Sequence, residues 1–295
     1  VIITTLHGGL GNQMFQYAVG RALSVELNQP LHLNISRFNN YHLHNGFELA
    51  KIFFGPMSIA STTHMREVLG WRAYPLLQGL LNRQAFTFLR GGNYVVEPHF
   101  HYWPEIRNAS ADVVLIGYWQ SEKYFQSRES LIRNDFSFRL PISERNAKIA
   151  KEMQDCNSVS LHVRRGDYLE TKSSASIHAL CSADYYQMAI KQICERVKNP
   201  KLFIFSDDIP WVKSNLKIEI PCDFIDHNRG SESYNDMRLM SYCRHHIIAN
   251  SSFSWWGAWL GKSNKQIVFY PKNWFRELKY DTSDLTPSSW IAINA

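Results

Sequence analysis

The chain is short of several things that would each have fixed a class. It has no apolar run of about 18 residues, so nothing in it reads as a membrane-spanning helix. It has no Cys-x-x-Cys, and its five cysteines (Cys156, Cys181, Cys194, Cys222, Cys243) are an odd, scattered set. That argues against a disulfide framework or a structural zinc site and makes a reducing compartment the expectation. No block of lysines and arginines stands out, which leaves nucleic-acid binding without support. There is no Asp-x-Asp of the kind metal-dependent sugar transferases carry on a loop, no complete G-x-G-x-x-G, no internal repeat and no low-complexity tract. No signal peptide opens the chain, because Val1 leads straight into a strand-like run. The expected location is therefore cytoplasmic, and the tripeptides at Asn34, Asn108 and Asn250 are not read as glycosylation acceptors.

What is present is an ordinary globular composition. The 295 residues are 45% hydrophobic and 20% charged, enough apolar material for one large domain or two smaller ones. Aromatics reach 14%, with nine tryptophans. Net charge is +6. That mild excess suits an anionic small molecule, and it suits equally a protein whose charge keeps it dispersed.

Residues 1–6, VIITTL, read as a buried strand, HGGLGN as a glycine-rich turn and residues 13–28 as a helix with apolar residues every three to four positions. PLHLNI then reads as a second strand, giving a βαβ opening. Helices are expected over 63–70 and 74–90, a strand over 112–119, a helix from Ser121 to Phe136 with Ser121 as its cap, and another after Ser143. Beyond residue 157 the order is more regular. Strands are expected at 158–163, 202–206, 222–226, 246–249 and 266–270, and helices at 183–197, 209–216, 232–243 and 254–262. Alternation with short connections argues for parallel sheets covered by helices, with ligands beyond the carboxyl ends of the strands. The expected division is 1–152 and 153–295.

Three polar clusters fall at expected strand ends. SLHVRRGDY ends a strand with His162, Arg164, Arg165 and Asp167. Two guanidiniums there make a pyrophosphate clamp, and a solvated turn with surface ion pairs fits the same nonapeptide. FSDD places Ser206, Asp207 and Asp208 at the next end, as ligand groups or as a helix cap. ANSSFSWWGAWL brings Asn250, Ser251, Ser252, Phe253 and Ser254 to the start of a helix, where amides and dipole favour a phosphate. Its alternative is a capped, tryptophan-rich core helix. In the first half, Gly9, Gly11 and Asn12 sit in the glycine turn, where backbone can approach a ligand closely. One nucleotide-diphosphate ligand accounts for all four clusters together.

GGLGNQMFQYAVGRALS, GYWQSEKYF, HVRRGDY, FSDD and HHIIANSSFSWWGAWL, in this order, resemble the bacterial α-1,2-fucosyltransferases, which use GDP-fucose and are related to the animal blood-group H transferases. The resemblance runs from residue 8 to about 270 and skips residues 40–110. It implies an α/β, GT-B-like fold: two facing Rossmann-like domains and an interdomain cleft, the first domain binding the acceptor and the second GDP-fucose. It implies inverting transfer to the 2-hydroxyl of a galactose-terminated oligosaccharide, with no cofactor and no metal. His162, Arg164, Arg165 and Asp167 match the H-x-R-R-x-D signature of the donor site, with Arg164, His162 and Asp167 as catalytic candidates. Asp207 and Asp208 are expected toward the guanosine and Ser251, Ser252 and Ser254 by the phosphates. Gly9, Gly11 and Asn12 are expected to approach from the other domain, and Gln13, Trp119, Gln120 and Glu122 on the acceptor side. His162, Asp167, His7 and Glu122 all stay open as the base. The animal relatives carry an N-terminal membrane anchor that is not seen here, and the mild positive charge is compatible with visits to an inner-membrane surface bearing a lipid-linked acceptor. Another donor or linkage on the same fold, or a non-catalytic nucleotide-sugar or carbohydrate binder, are the competing readings.

Overall fold

The computed structural model describes residues 1–39, 44–166, 180–276 and 280–294. It divides into two compact units. Unit 1 is Val1–Leu140 together with Asp281–Thr286, and unit 2 is Pro141–Tyr280 together with Pro287–Ala295. The division precedes the helix that begins at Glu144, where the sequence had suggested 152/153. Ala150 and Met153 of that helix pack with Phe203 and Phe205 in the core of unit 2, which is why the helix belongs there.

Unit 1 runs β1 (Ile2–Thr5), α1 (Leu10–Glu26), β2 (Leu31–Asn34), α2 (Leu49–Ile52), α3 (Thr62–Leu69), α4 (Pro75–Leu81), β3 (Tyr94–Val96), β4 (Val113–Ile116) and α5 (Glu129–Asp135). Its strands are parallel in the order β2-β1-β4-β3. α1 starts at Leu10, so Gly11 and Asn12 lie in its first turn and not in a loop. Gly8 takes φ +79°, a left-handed conformation that favours glycine, and the Gly9 carbonyl accepts the amides of Asn12 and Gln13. Two expected helices are broken. Ser121 does cap, accepting from the Lys123 amide, but the chain then makes two 3₁₀ turns, Glu122–Tyr124 and Gln126–Arg128, before α5. Tyr124 and Phe125 are both buried although adjacent, and successive residues of a regular helix point about 100° apart. The 74–90 stretch splits likewise at Arg83, whose backbone is extended.

Unit 2 runs α6 (Glu144–Asp155), β5 (Asn157–Val163), α7 (Ala183–Arg196), β6 (Pro200–Ser206), α8 (Ile209–Asn215), β7 (Cys222–Ile225), α9 (Tyr234–Met240), β8 (His245–Ile247), α10 (Ser252–Trp259), β9 (Val268–Pro271) and β10 (Ile291–Ile293). Every expected strand is found, and Ser143 caps α6 by accepting the Asn146 amide. The sheet is parallel in the order β10-β9-β8-β5-β6-β7. The chain winds outward from β5 through β6 to β7, then returns to the other side of β5. This is the doubly wound six-strand order, whose ligand crevice opens where the winding reverses, here between β5 and β8. In unit 1 the same reversal lies between β1 and β4.

The faces of β5 alternate with period two. Val159, Leu161 and Val163 join Tyr185, Tyr186 and Ile190 of α7 in one apolar core. The other face is polar. Ser158 donates to the Met153 carbonyl at 2.6 Å, and Ser160 Oγ lies 2.8 Å from His246 Nδ1. Trp255 and Trp256 of α10 are fully buried, so this helix is core.

His246 has no exposed surface, and its pKa is pushed down to about 3, first by burial and then by neighbouring His245. In the unfolded chain it titrates near about 6.5. The stability tied to its neutral form is complete above that pH and is lost as pH falls toward 3. The thermal midpoint is expected to drop from about pH 7 to about pH 4. The drop should be shallower in His246→Gln, which accepts no proton; equal slopes would remove this residue from the account.

Candidate active site

The pairing of β5 with β6 aligns Val163 with Ser206. One and two residues further on, the same offset sets Arg164 against Asp207 and Arg165 against Asp208. The side chains bear this out, with Arg164 Nε 3.3 Å from Asp207 Oδ2 and Arg165 Nε 3.7 Å from Asp208 Oδ2. Asp207 Oδ1 also accepts the Arg165 amide at 2.9 Å. Asp208 caps α8 by accepting the Trp211 amide at 3.0 Å, and Ser206 Oγ accepts the Asp208 amide at 2.9 Å. The cap and the ligand-side readings of Asp208 are therefore compatible: one oxygen caps, the other faces an arginine.

The two arginines are not equivalent. Strand alternation sends Arg165 to the α7–α8 face, where its guanidinium lies 4.0 Å over the Trp211 ring. A stacked arginine of this kind is held by about 0.5–2 kcal/mol. Arg164 leaves on the same side as His162 and stays more open, 28% exposed against 16%. His162 is 5% exposed, its ring is 6.0 Å from Phe253, and its Nδ1 has no hydrogen-bond partner among the described residues. Burial, and secondarily Arg164, push its pKa down to about 3. It is neutral at pH 7 and a weak proton acceptor, which counts against it as the base. Asp167 lies outside the described residues.

At the end of β8, two expected phosphate-side groups turn inward. Asn250 is 1% exposed; its amide donates to the Trp274 carbonyl at 2.9 Å and its oxygen accepts from Cys181 Sγ at 3.3 Å. The Ser254 hydroxyl is fully buried and donates back to the Ser251 and Ala249 carbonyls. Both side chains build the turn. Ser251 caps α10 by accepting the Phe253 amide at 3.3 Å. Ser252 and Phe253, half-buried, are left at the mouth.

In unit 1 the β1 and β4 ends are joined. Gln120 Nε2 donates to Asn12 Oδ1 at 2.8 Å. Gly9 and Asn12 are half-buried there, while Gly11 is buried. Gln13, expected on the acceptor side, is fully buried. It donates to the Gly8 and Gly46 carbonyls (3.0 and 2.8 Å) and accepts the Glu48 amide at 3.1 Å. Trp119, also expected there, is fully buried with φ +56° and packs edge-on against Tyr124. Its neighbour Tyr118, 43% exposed, is the open aromatic. Glu122 is half-buried and opens the first 3₁₀ turn.

Several residues that sequence reasoning passed over are central here. Gln16 accepts the His7 amide at 2.9 Å and donates to His7 Nδ1 and to the Gly117 carbonyl, both at 3.1 Å, so one side chain spans the winding reversal. Burial, then Arg37, lowers the pKa of His7 to about 4. Glu97, just past β3, accepts the Tyr118 and Trp119 amides at 2.7 and 3.0 Å. Burial outweighs those two bonds and pushes its pKa up to about 7. A Cβ on Gly117 would sit 2.4 Å from Glu97 Cβ, so this approach needs glycine. Beyond β7, Asn228 donates to Asp236 at 2.8 Å and accepts from Asn146 at 2.9 Å, and burial raises Asp236 to about 7. The available signals were a carboxylate after YVV and an acid in an Asn-Asp pair, both weak without the fold. Among the described residues, no three His, Cys, Asp or Glu side chains are grouped to hold a metal ion.

The chain is similar to several known proteins. A family model described as glycosyl transferase family 11 matches residues 100–294. An α-1,2-colitosyltransferase of Escherichia coli is 38% identical, covering 99% of each chain. The E. coli O-antigen biosynthesis glycosyltransferase WbnK is 32% identical over 97% of this chain and 98% of its own. The Bos taurus galactoside 2-α-L-fucosyltransferase SEC1 is 25% identical over 67% of this chain and 56% of its own. Among solved structures, the fucosyltransferase NodZ from Bradyrhizobium superposes with a TM-score of 0.54 at 15% identity, covering 91% of this chain and 94% of its own. Arabidopsis thaliana FUT1 superposes with a TM-score of 0.53 at 10% identity, covering 97% and 74%. That likeness is one of fold, and it agrees with the GT-B-like α/β class expected from the sequence.

Glu97→Gln should separate charge from shape. A glutamine oxygen satisfies one of the two amides, and its NH₂ then faces the other. The expected cost is about 1–3 kcal/mol, read as a lower midpoint in urea unfolding. An unchanged midpoint would show that the carboxylate does not hold this turn.

Proposed function

Because the chain belongs to glycosyl transferase family 11, we propose that it moves L-fucose from GDP-β-L-fucose to the 2-hydroxyl of a terminal β-galactoside, with inversion, giving an α-1,2 linkage. The observation that carries this reading is Arg164, set against Asp207 at the carboxyl end of β5 where the winding of unit 2 reverses. The acceptor oxygen attacks the anomeric carbon on the side opposite the phosphate. The carbon–oxygen bond to the β-phosphate breaks and its electron pair leaves with GDP. Negative charge then builds on the phosphate oxygens, where Arg164 and the first-turn amides of α10 stabilise it. No metal or cofactor is required in this reading. His162, held neutral, adds no second positive charge beside Arg164.

Unit 1 supplies the acceptor side through its strand ends. The attacking hydroxyl loses a proton, and an acceptor works best with a pKa near the working pH. His7, near 4, and His162, near 3, are poorly matched to that task.

A second donor is favoured by one finding, the 38% identity over almost the whole chain to an enzyme named for colitose. Colitose is L-fucose without its 3-hydroxyl. A site that hydrogen-bonds that hydroxyl rejects the deoxy sugar by about 10⁴–10⁵, whereas an apolar pocket rejects the added hydroxyl by only about 10². The ratio of kcat/KM for GDP-fucose and GDP-colitose, with linkage analysis of the product, assigns the donor.

Arg164→Ala is expected to lower kcat by about 10²–10³ with the fold intact. Arg165→Ala should act mainly through a lower thermal midpoint, because its stacking on Trp211 is lost. GDP release beside thermal unfolding separates the two. Near wild-type turnover in Arg164→Ala would sink the assignment. Undiminished activity in EDTA checks that no metal is involved.

A further inference from the structure

One stretch of unit 1 takes no part in the chemistry above and has a composition of its own. From Glu67 to Glu97 the sequence has no acidic residue in between, while Arg72, Arg83 and Arg90 lie within and Arg66 just before. None of these four arginines is paired with a carboxylate among the described residues. Arg72 donates to the Leu69 carbonyl at 3.3 Å and Arg90 to the Leu81 carbonyl at 2.7 Å, so two of them are fixed along the backbone with their charge unopposed.

The apolar residues of the stretch divide by face. Val68, Leu69 and Leu81 are buried with Tyr94 and Val114 and anchor it to the sheet. Trp71, Tyr74, Leu76, Leu80 and Phe88 point out, Leu76 at 91% exposure and Phe88 at 78%. They stand on α4, on the 3₁₀ turns Gly70–Ala73 and Gln84–Leu89 and, for Tyr74, at the junction before α4, and α4 packs against both turns. A single exposed leucine needs no explanation; five large apolar side chains on adjoining elements mark an interaction surface.

We propose that residues 66–90 seat the protein on an anionic lipid bilayer, with the aromatic and leucine side chains entering the interface and the arginines on the head-group phosphates. Tryptophan and tyrosine suit that depth, and arginines extend from an apolar face toward phosphate. No helix among the described residues is long and apolar enough to cross a membrane, so the contact is with the surface. The charge argues against a second copy as the occupant, since two such faces would bring four arginines each against only Glu67. The proposal stands independently of the transfer reaction.

The test is co-sedimentation of the full chain with phosphatidylglycerol–phosphatidylcholine vesicles and with phosphatidylcholine alone. Binding at least about tenfold stronger to the anionic vesicles, weakening with salt, is expected. Arg83→Gln should weaken it about fivefold, and the double variant Leu76→Ser, Phe88→Ser should abolish it. Thermal unfolding and turnover on a small water-soluble galactoside should stay at wild-type values in both. Equal, weak binding to both vesicles, or a double variant that sediments like wild type, would overturn the proposal. So would a wild-type dimer that the double variant converts to monomer, which would give the face to a second copy.

Discussion

The site of unit 2 hangs on one register. Pairing β5 with β6 so that Val163 meets Ser206 brings two consecutive arginines against two consecutive aspartates. A slip of one residue would exchange the faces, sending the polar series Ser158, Ser160, His162 into the α7 core and the valines out. Burial of Val159, Leu161 and Val163 forbids that slip. Partly exposed ion pairs of this sort add little to stability. Their effect is directional: Arg165 is laid on Trp211 while Arg164 stays beside the winding reversal. Core packing thus decides which guanidinium remains open.

Unit 1 joins its strand ends through single side chains held against backbone groups. Where unit 2 brings charge to its strand ends, unit 1 joins β1 and β4 through the amide of Gln16, and β3 to β4 through the carboxylate of Glu97 on two backbone amides. Burial lowers the pKa of His7 and raises that of Glu97. The contrast between the two units follows from which side chains each sheet leaves at its rim.

Much of this was legible in the sequence, and the failures share a cause. Periodicity located all five expected strands of unit 2, because each is a run of apolar residues with a polar break at its end. It missed β3 and β10, since three residues carry too little pattern. Residue type located HVRRG, FSDD and the SSFS turn, but it does not say which way a side chain faces once the chain bends. Gln13, Trp119, Asn250 and Ser254 therefore read as ligand groups and turned out to be interior. Glu97 failed in the opposite sense: its partners are backbone amides more than twenty residues away, invisible until the strands pair.

The segment 281–286 belongs to unit 1 although it follows most of unit 2. Asp284 accepts the Tyr102 amide at 3.2 Å and pairs with Lys123, and the chain then returns to unit 2 to lay β10 against β9. Order of synthesis gives this threading a meaning that spatial description hides. Domains made N-terminal first generally fold as they emerge. Here a piece of unit 1 is made after five strands of unit 2, and β10 of unit 2 is made after that piece. Neither unit is one continuous stretch of chain, so no single cut yields either of them whole.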